Sequence, residues 1–201
     1  LSLHAASARR RDAGRGLPRV TIDALKANHG GVAVIALPGI QLSRIAVVTR
    51  PASFELLCAL LISGTSSCVV AVVYRPGSAN ITSAFFHEFA DLLDRLATFV
   101  EPVFVTGDIN VRLDRPDDTF AVQLTDILEA HGLTNRVSAV TRDRGGSLDA
   151  MCSRDDLPVP VVDVVNVGLS DHRLLRWPVP FARPPSEYVS IPSRPWCQLD
   201  A

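Results

Sequence analysis

Apolar residues fall along this chain in short blocks, and the period inside each block assigns an element. Val32–Leu37 and Ile45–Val48 are β-branched runs separated by Pro38-Gly39, which predicts a hairpin. Phe54–Ile62 and Val69–Tyr74 are continuous apolar runs with Ser63-Gly64 opening the break between them. They predict a second strand pair buried on both faces, stopped at Arg75-Pro76-Gly77 because proline cannot continue the ladder. The period then changes. Phe85, Phe89, Leu92 and Leu96 step by three and four, Phe86 and Leu93 widen the stripe, and Asp91 and Arg95 sit one turn apart on the polar side. This predicts an amphipathic helix capped by Thr82 or Ser83. Val103–Val105 reads as a strand ending at Gly107. A second helix runs from about Phe120 to His131, with Leu124, Ile127 and Leu128 inward and Gly132 placed to end it. Val161–Val167 and Leu174–Val179 read as the last two strands.

The two ends differ from this middle. Residues 1–29 are poorly patterned, with Arg9-Arg10-Arg11 and Gly14-Arg15-Gly16 reading as solvated or loop-like. Residues 180–201 carry Pro180, Pro184, Pro185, Pro192 and Pro195, which predicts a linker leading out of a domain over 30–179. The chain opens at Leu1, and its single methionine is Met151, which reads as a piece of a longer reading frame. Strand pairs mixed with helices, without a strict alternation, predict mixed sheets with helices outside rather than a fully parallel sheet.

Composition narrows the function classes. With 47% hydrophobic and 20% charged residues the chain has globular composition, so disorder is excluded. The longest apolar run, Leu56–Ile62, is far too short to span a bilayer, and no membrane role is expected. The net charge of −1 excludes a strongly cationic nucleic-acid binder. Yet 19 of the 20 basic residues are arginine, the residue suited to bidentate contact with phosphate, so a local phosphate site is allowed. Cys58, Cys68, Cys152 and Cys197 have no close spacing, which excludes a zinc motif and a dense disulfide framework and fits a reducing, intracellular setting.

Polar clusters beside the apolar strands are the candidates for chemistry. Gly107-Asp108-Ile109-Asn110 follows a strand. Asp108 could orient or deprotonate a water and Asn110 could donate to an anionic oxygen, although the same residues make ordinary turns. Ser170-Asp171-His172 pairs an acid with a group that titrates near neutral pH, or forms a polar loop. Ser147-Leu148-Asp149 could supply a carboxylate that holds an imidazole tautomer, or could cap a turn. Tyr74 ends a strand, where its hydroxyl could reach a phosphate or simply lie half-buried.

Taken in order, Tyr74-Arg75-Pro76, the Phe-rich helix, Gly107-Asp108-Ile109-Asn110, Leu148-Asp149 and Ser170-Asp171-His172 resemble the endonuclease/exonuclease/phosphatase family. More closely, the chain resembles the apurinic-type endonuclease domain of a non-LTR retrotransposon (LINE) polyprotein. Gly30-Gly31-Val32, Ser53-Phe54-Glu55 and Arg194-Pro195-Trp196 also match that spacing. The resemblance implies a DNase I-like four-layer α/β sandwich, two mixed β-sheets face to face with helices outside. It implies hydrolysis of a DNA phosphodiester with Mg2+ or Mn2+ and, in the longer polyprotein, a reverse transcriptase domain as neighbour. Carried over residue by residue, Asp108 positions and activates water, Asn110 holds the scissile phosphate, Tyr74 contacts a phosphate oxygen, and His172, oriented by Asp149, binds the phosphate. Asp171 lies beside the metal. Arg75, Arg112, Arg115, Arg142 and Arg144 are the expected DNA phosphate contacts.

The chain departs from the pattern in two places. The resembled family carries an Asn on its first strand and a metal-binding Glu on a later one, both upstream of Gly30-Gly31. Here the first glutamate is Glu55, so the first strands and the principal metal ligand are expected to be missing and catalysis impaired. Thr141-Arg142 stands where retrotransposon members often have Thr-His. The alternative readings are a catalytically dead retrotransposon remnant, at most a nucleic-acid-binding module, or a phosphatase of the same family.

Overall fold

A computed structural model describes residues 2–5, 19–23, 31–37, 39–47, 49–158 and 160–179. Eleven strands and two helices are formed by these residues. In chain order they are β1 (Ser2–Ala5), β2 (Arg19–Asp23), β3 (Val32–Ile35), β4 (Gln41–Ile45), β5 (Glu55–Ser63), β6 (Ser66–Tyr74), α1 (Ser83–Leu96), β7 (Val103–Asp108), α2 (Thr119–Ala130), β8 (Leu133–Asn135), β9 (Asp149–Arg154), β10 (Asp163–Val165) and β11 (Leu174–Pro178).

The centre is a six-stranded sheet in the order β4-β5-β6-β7-β9-β8. It is mixed, because β6 and β7 run parallel while every other pair is antiparallel. A parallel neighbour requires a crossover, and α1 supplies it. The alternation of side chains splits the sheet cleanly. Leu56, Cys58, Val69, Ala71, Val73, Val103, Val105, Ala150 and Cys152 face the helices, where they meet the α1 stripe Phe85, Phe86, Phe89, Leu92, Leu93 and Leu96. Phe54 is fully buried there, edge-on to Phe85 at 5.9 Å and to Phe89 at 6.2 Å. The α2 helix closes the same core with Ala121, Leu124 and Leu128, and its Asp118 cap accepts from the Phe120 and Ala121 amides.

The opposite face is covered by strands. β3 packs over Leu57 and Ala59, with Val72 and Tyr74 alongside. Leu175 and Trp177 of β11 pack over Leu61, Cys68, Val70, Phe104 and Met151.

Three expectations are corrected here. The hairpin across Pro38-Gly39 does not form, since β3 pairs with β2 and β4 joins the edge of the large sheet on β5. The segment over 1–29, expected to be unpatterned and to lack the first strands, supplies β1, paired with β11, and β2. Finally, among the described residues the second sheet consists of two separate antiparallel pieces, β1-β11-β10 and β2-β3, and both helices lie on the outer face of the large sheet. The Pro-rich 180–201 segment, including Arg194-Pro195-Trp196, lies outside the described residues.

Gly107 shows how tightly the central strands are joined. It lies in β7 opposite Val73 with φ near +133°, and a Cβ built there would stand 2.0 Å from the Val73 carbonyl oxygen. Gly107→Ala therefore combines backbone strain with a clash against a rigid strand. We expect it to lower stability by about 2 kcal/mol, read as a lower urea midpoint with an unchanged slope.

A candidate active site at the strand ends

Four neighbouring strands of the large sheet present one row of polar residues. Glu55 of β5 is opposite Tyr74 of β6, Tyr74 is opposite Asp108 of β7, and Asp108 is opposite Asp149 of β9. Partners in register point to the same face, so the row lies on the strand-covered side at one end of the sheet. Glu55 is buried and accepts the Gly31 amide, tying the approach to β3 onto the sheet. The Tyr74 ring is half-buried against the β3 cluster.

Asp108 and Asp149 form the centre. Beside them lies His172, whose Nδ1 is 3.0 and 3.2 Å from the two Asp149 carboxylate oxygens, while its Nε2 is 3.9 Å from Asp108 Oδ2. Two local features deliver His172 to this place. Thr141 and Asp143 exchange backbone hydrogen bonds with Arg173 and Asp171, so the two loops zip together across the Arg142–His172 bridge. The buried Thr141 hydroxyl also accepts the Leu148 and Asp149 amides, fixing the start of β9.

The electrostatics follow from this packing. Burial and the neighbouring Asp149 charge push Asp108 up to about 6, against the lowering effects of His172 and Asn110. Burial also raises Asp149, opposed by Thr141, His172 and Arg142. Two carboxyls that both resist ionisation, with an imidazole between them, make a site that gains from a cation.

The other expected residues are placed as follows. Asn110 sits just past Asp108 with φ near +54°, a conformation asparagine tolerates. Its amide N–H donates to Asp108 Oδ1, and its side-chain amide donates to the Arg75 carbonyl and steadies the Asp108 carboxylate. Asp171 is adjacent in sequence to His172, but its carboxylate is held by Arg142 at 2.8 Å and kept below the usual carboxylate range by that bond. It stands outside the group of ligating atoms formed by Asp108, Asp149 and His172, which all lie within 4.8 Å of one another.

Among the arginines, Arg75 departs from expectation. It is buried, and its Nε, Nη1 and Nη2 donate to the carbonyls of Ile109, Pro76, Ala79 and Asn110. It braces the Asp108–Asn110 turn instead of facing a phosphate, because those four carbonyls lie past strand and loop ends with no ladder partner. Arg112 pairs with Asp114, and Arg142 with Asp171. Arg115 and Arg144 are exposed. Thr141 and Glu55 also belong to this neighbourhood, Thr141 through the Leu148 and Asp149 amides and Glu55 through the row across the sheet. The available signal was a polar residue at a position the fold buries.

The group fits a divalent cation by its donor chemistry, two carboxylates and one imidazole around a common space. Among the described residues no helix is long and apolar enough to cross a membrane.

Comparison with known proteins agrees with this architecture. The endonuclease domain of TRAS1, a telomere-specific non-LTR retrotransposon, superposes with a TM-score of 0.63 at 15% identity, over 82% of this chain and 78% of that one. TDP2 of D. rerio complexed with a single-strand DNA product superposes with a TM-score of 0.56 at 13% identity, covering 79% and 76%. The human Nocturnin catalytic domain with bound sulfate gives 0.52 at 18% identity, covering 74% and 62%. At these identities the likeness establishes the DNase I-like α/β fold. No curated protein sequence matches the chain. Residues 4–172, most of the chain and all of the site just described, match the endonuclease/exonuclease/phosphatase family, and the chain belongs to that family.

Proposed function

We propose that this chain is a metal-dependent phosphodiesterase domain that nicks DNA, derived from the endonuclease of a non-LTR retrotransposon. The observation that carries the reading is the convergence of Asp108, Asp149 and His172 at the strand ends, from three separate segments of the chain. Hydrolysis of a phosphodiester needs an oriented water and compensation of charge spreading over the phosphate oxygens. Asp108 is placed to orient the water and take its proton. Asn110, whose side-chain amide lies beside the Asp108 carboxylate, would turn that amide to a phosphate oxygen, and Tyr74 stands next in the row. Asp149 accepts from His172 Nδ1, which leaves Nε2 facing the Asp108 side of the cleft, where phosphate or cation is met. Asp108, Asp149 and His172 would hold the divalent ion, which supplies Lewis-acid stabilisation when bound. Glu55 accepts the Gly31 amide and stands outside the group formed by Asp108, Asp149 and His172.

The choice between diesterase and phosphatase is tested with a small aryl diester and the matching monoester. Hydrolysis of the diester with the monoester left intact supports the proposal, and the reverse preference replaces it with the phosphatase reading.

DNA binding is expected to be weak and salt-sensitive. Arg112, Arg142 and Arg173 around the cleft are each within ion-pair distance of an aspartate of the chain itself, so phosphate must compete for them. With Arg115 and Arg144 remaining, the slope of log affinity against log salt should be no steeper than about −2. Fluorescence anisotropy across a salt series measures it, and a slope several times steeper would mean that these pairs open on DNA.

A further inference from the structure

We infer that Leu169, at the tip of the loop that delivers His172, is an apolar wedge that opens the base step beside the scissile phosphate, so that steps which unstack easily are cut in preference to the rest. The inference deepens the phosphodiesterase reading and rests on it.

The loop over 166–170 is built to hold its tip in place. Gly168 donates its amide to the Asn166 side chain at 2.9 Å and takes φ near +67°, which makes a tight turn. The Ser170 hydroxyl then accepts the His172 amide and donates to the His172 carbonyl, each at 3.1 Å. Behind the tip, the Asn166 side chain donates to Asp143 at 3.4 Å, and the Asp143 amide donates to the Asp171 carbonyl, so the loop is strapped to the one that precedes β9. Between the two turns stands Leu169, 88% exposed, with Val167 also exposed. A lone surface leucine is ordinary. This one is set apart by a rigid mount and by its distance from the cleft.

Chain length bounds that distance. Leu169 is three residues before His172, so their Cα atoms are at most about 11 Å apart. A DNA strand advances about 3.4 Å per nucleotide, so a phosphate at His172 puts Leu169 within about three nucleotides of the cut. Asn166, Val167, Gly168, Leu169 and Ser170 carry no charge, so the tip is not made for phosphate. The apolar faces of the bases are what an aliphatic side chain can meet there, and pyrimidine–purine steps open at the lowest cost. A protein partner fits less well. Two aliphatic side chains fall far short of the about 800 Å2 per partner that a stable interface buries.

The test is the fluorescence of 2-aminopurine, which brightens as stacking is lost, placed at several positions in one strand of a short duplex. The duplex is saturated with the whole chain at low salt in chelator, and anisotropy gives the affinity. Fluorescence should rise on binding and the rise should be lost in Leu169→Ser, with affinity kept within about threefold because phosphate contacts supply most of it. Val100→Ser removes an equally exposed residue just before β7, at the other end of that strand from Asp108, and should change neither reading. With Mn2+, nicks mapped along a mixed-sequence duplex should fall on pyrimidine–purine steps about tenfold more often than on other steps, and Leu169→Ser should level that ratio. Binding without a rise overturns the inference, as does a rise or a step preference that survives in Leu169→Ser. Splitting of a dimer by Leu169→Ser in sedimentation also overturns it, since the tip would then be a protein contact. Failure of the duplex to bind overturns this inference and the DNA-nicking reading together. Nicking spread evenly over all steps sinks this inference and leaves the phosphodiesterase reading standing. A Leu169-dependent rise without nicking does the opposite.

Discussion

Asp108→Asn is expected to make the protein less active and more stable at once. The carboxylate at the end of β7 is the group placed to take a proton from water, and loss of a general base costs about 10²- to 10⁴-fold in rate. The amide is nearly isosteric, so the Asp108–Asn110 turn should persist. Stability moves the other way because the wild-type carboxyl is buried beside Asp149 and is pushed up to about 6. A carboxyl raised in the folded state is bound by a proton there at pH values where the unfolded chain has already released it. The Asp108 contribution to the stability of the metal-free wild type is therefore fullest below about pH 4 and is lost as pH rises through about 6. The asparagine variant has no such loss, so its advantage should grow across that window to at most about 3 kcal/mol. Urea midpoints in chelator, taken at intervals from pH 4 to 7.5, measure it. A variant that is inactive and also destabilised at pH 7 would mean that Asp108 is a structural residue.

Arg75→Met is the counterpart on the scaffold side, with a loss of about 3–5 kcal/mol expected. Arg75 is buried with its cation 5.8 Å from the Phe85 ring centroid, and it satisfies four carbonyls on both sides of the cleft floor. Methionine fills much of the volume but leaves the Ile109, Ala79 and Asn110 oxygens without the guanidinium donors, while the Pro76 oxygen keeps the Ala79 amide. Lysine should not rescue, since one ammonium cannot span the four positions that a planar fork reaches. Denaturant unfolding of the two variants is the measurement. Normal stability with reduced DNA affinity in Arg75→Met would return Arg75 to the phosphate contacts.

Much of the frame was readable along the chain because it depends on local period. The Phe85–Leu96 stripe marked α1, and the unbroken apolar runs marked β5 and β6, strands buried on both faces. The strand-end motifs also pointed to Asp108, Asp149 and His172, since carboxylates and imidazole beside buried strands are unusual company. What stayed hidden depends on long-range partners. Arg75 reads as a loop cation next to Pro76-Gly77, and only contact with carbonyls 34 and 35 residues away makes it an internal brace. β9, with the sequence Asp-Ala-Met-Cys-Ser-Arg, has small and polar residues on both faces and no alternation to betray a central strand. The β3 segment reads as one arm of a hairpin with its sequence neighbour, but its partner is β2, a pairing that no local turn signal encodes. Asp171 reads as a metal-side acid by position, and its pairing with Arg142, 29 residues away, has no local signal either.

In the proposed function, Asp108, Asp149 and His172 form a cation-dependent centre for cutting phosphodiesters. Conversion of supercoiled plasmid to open circles, followed under single-turnover conditions with excess protein, tests it most directly. Slow nicking is predicted with Mn2+, with none in chelator and none from Asp108→Asn. Nicking that persists in chelator or in the Asp108→Asn variant would contradict the account.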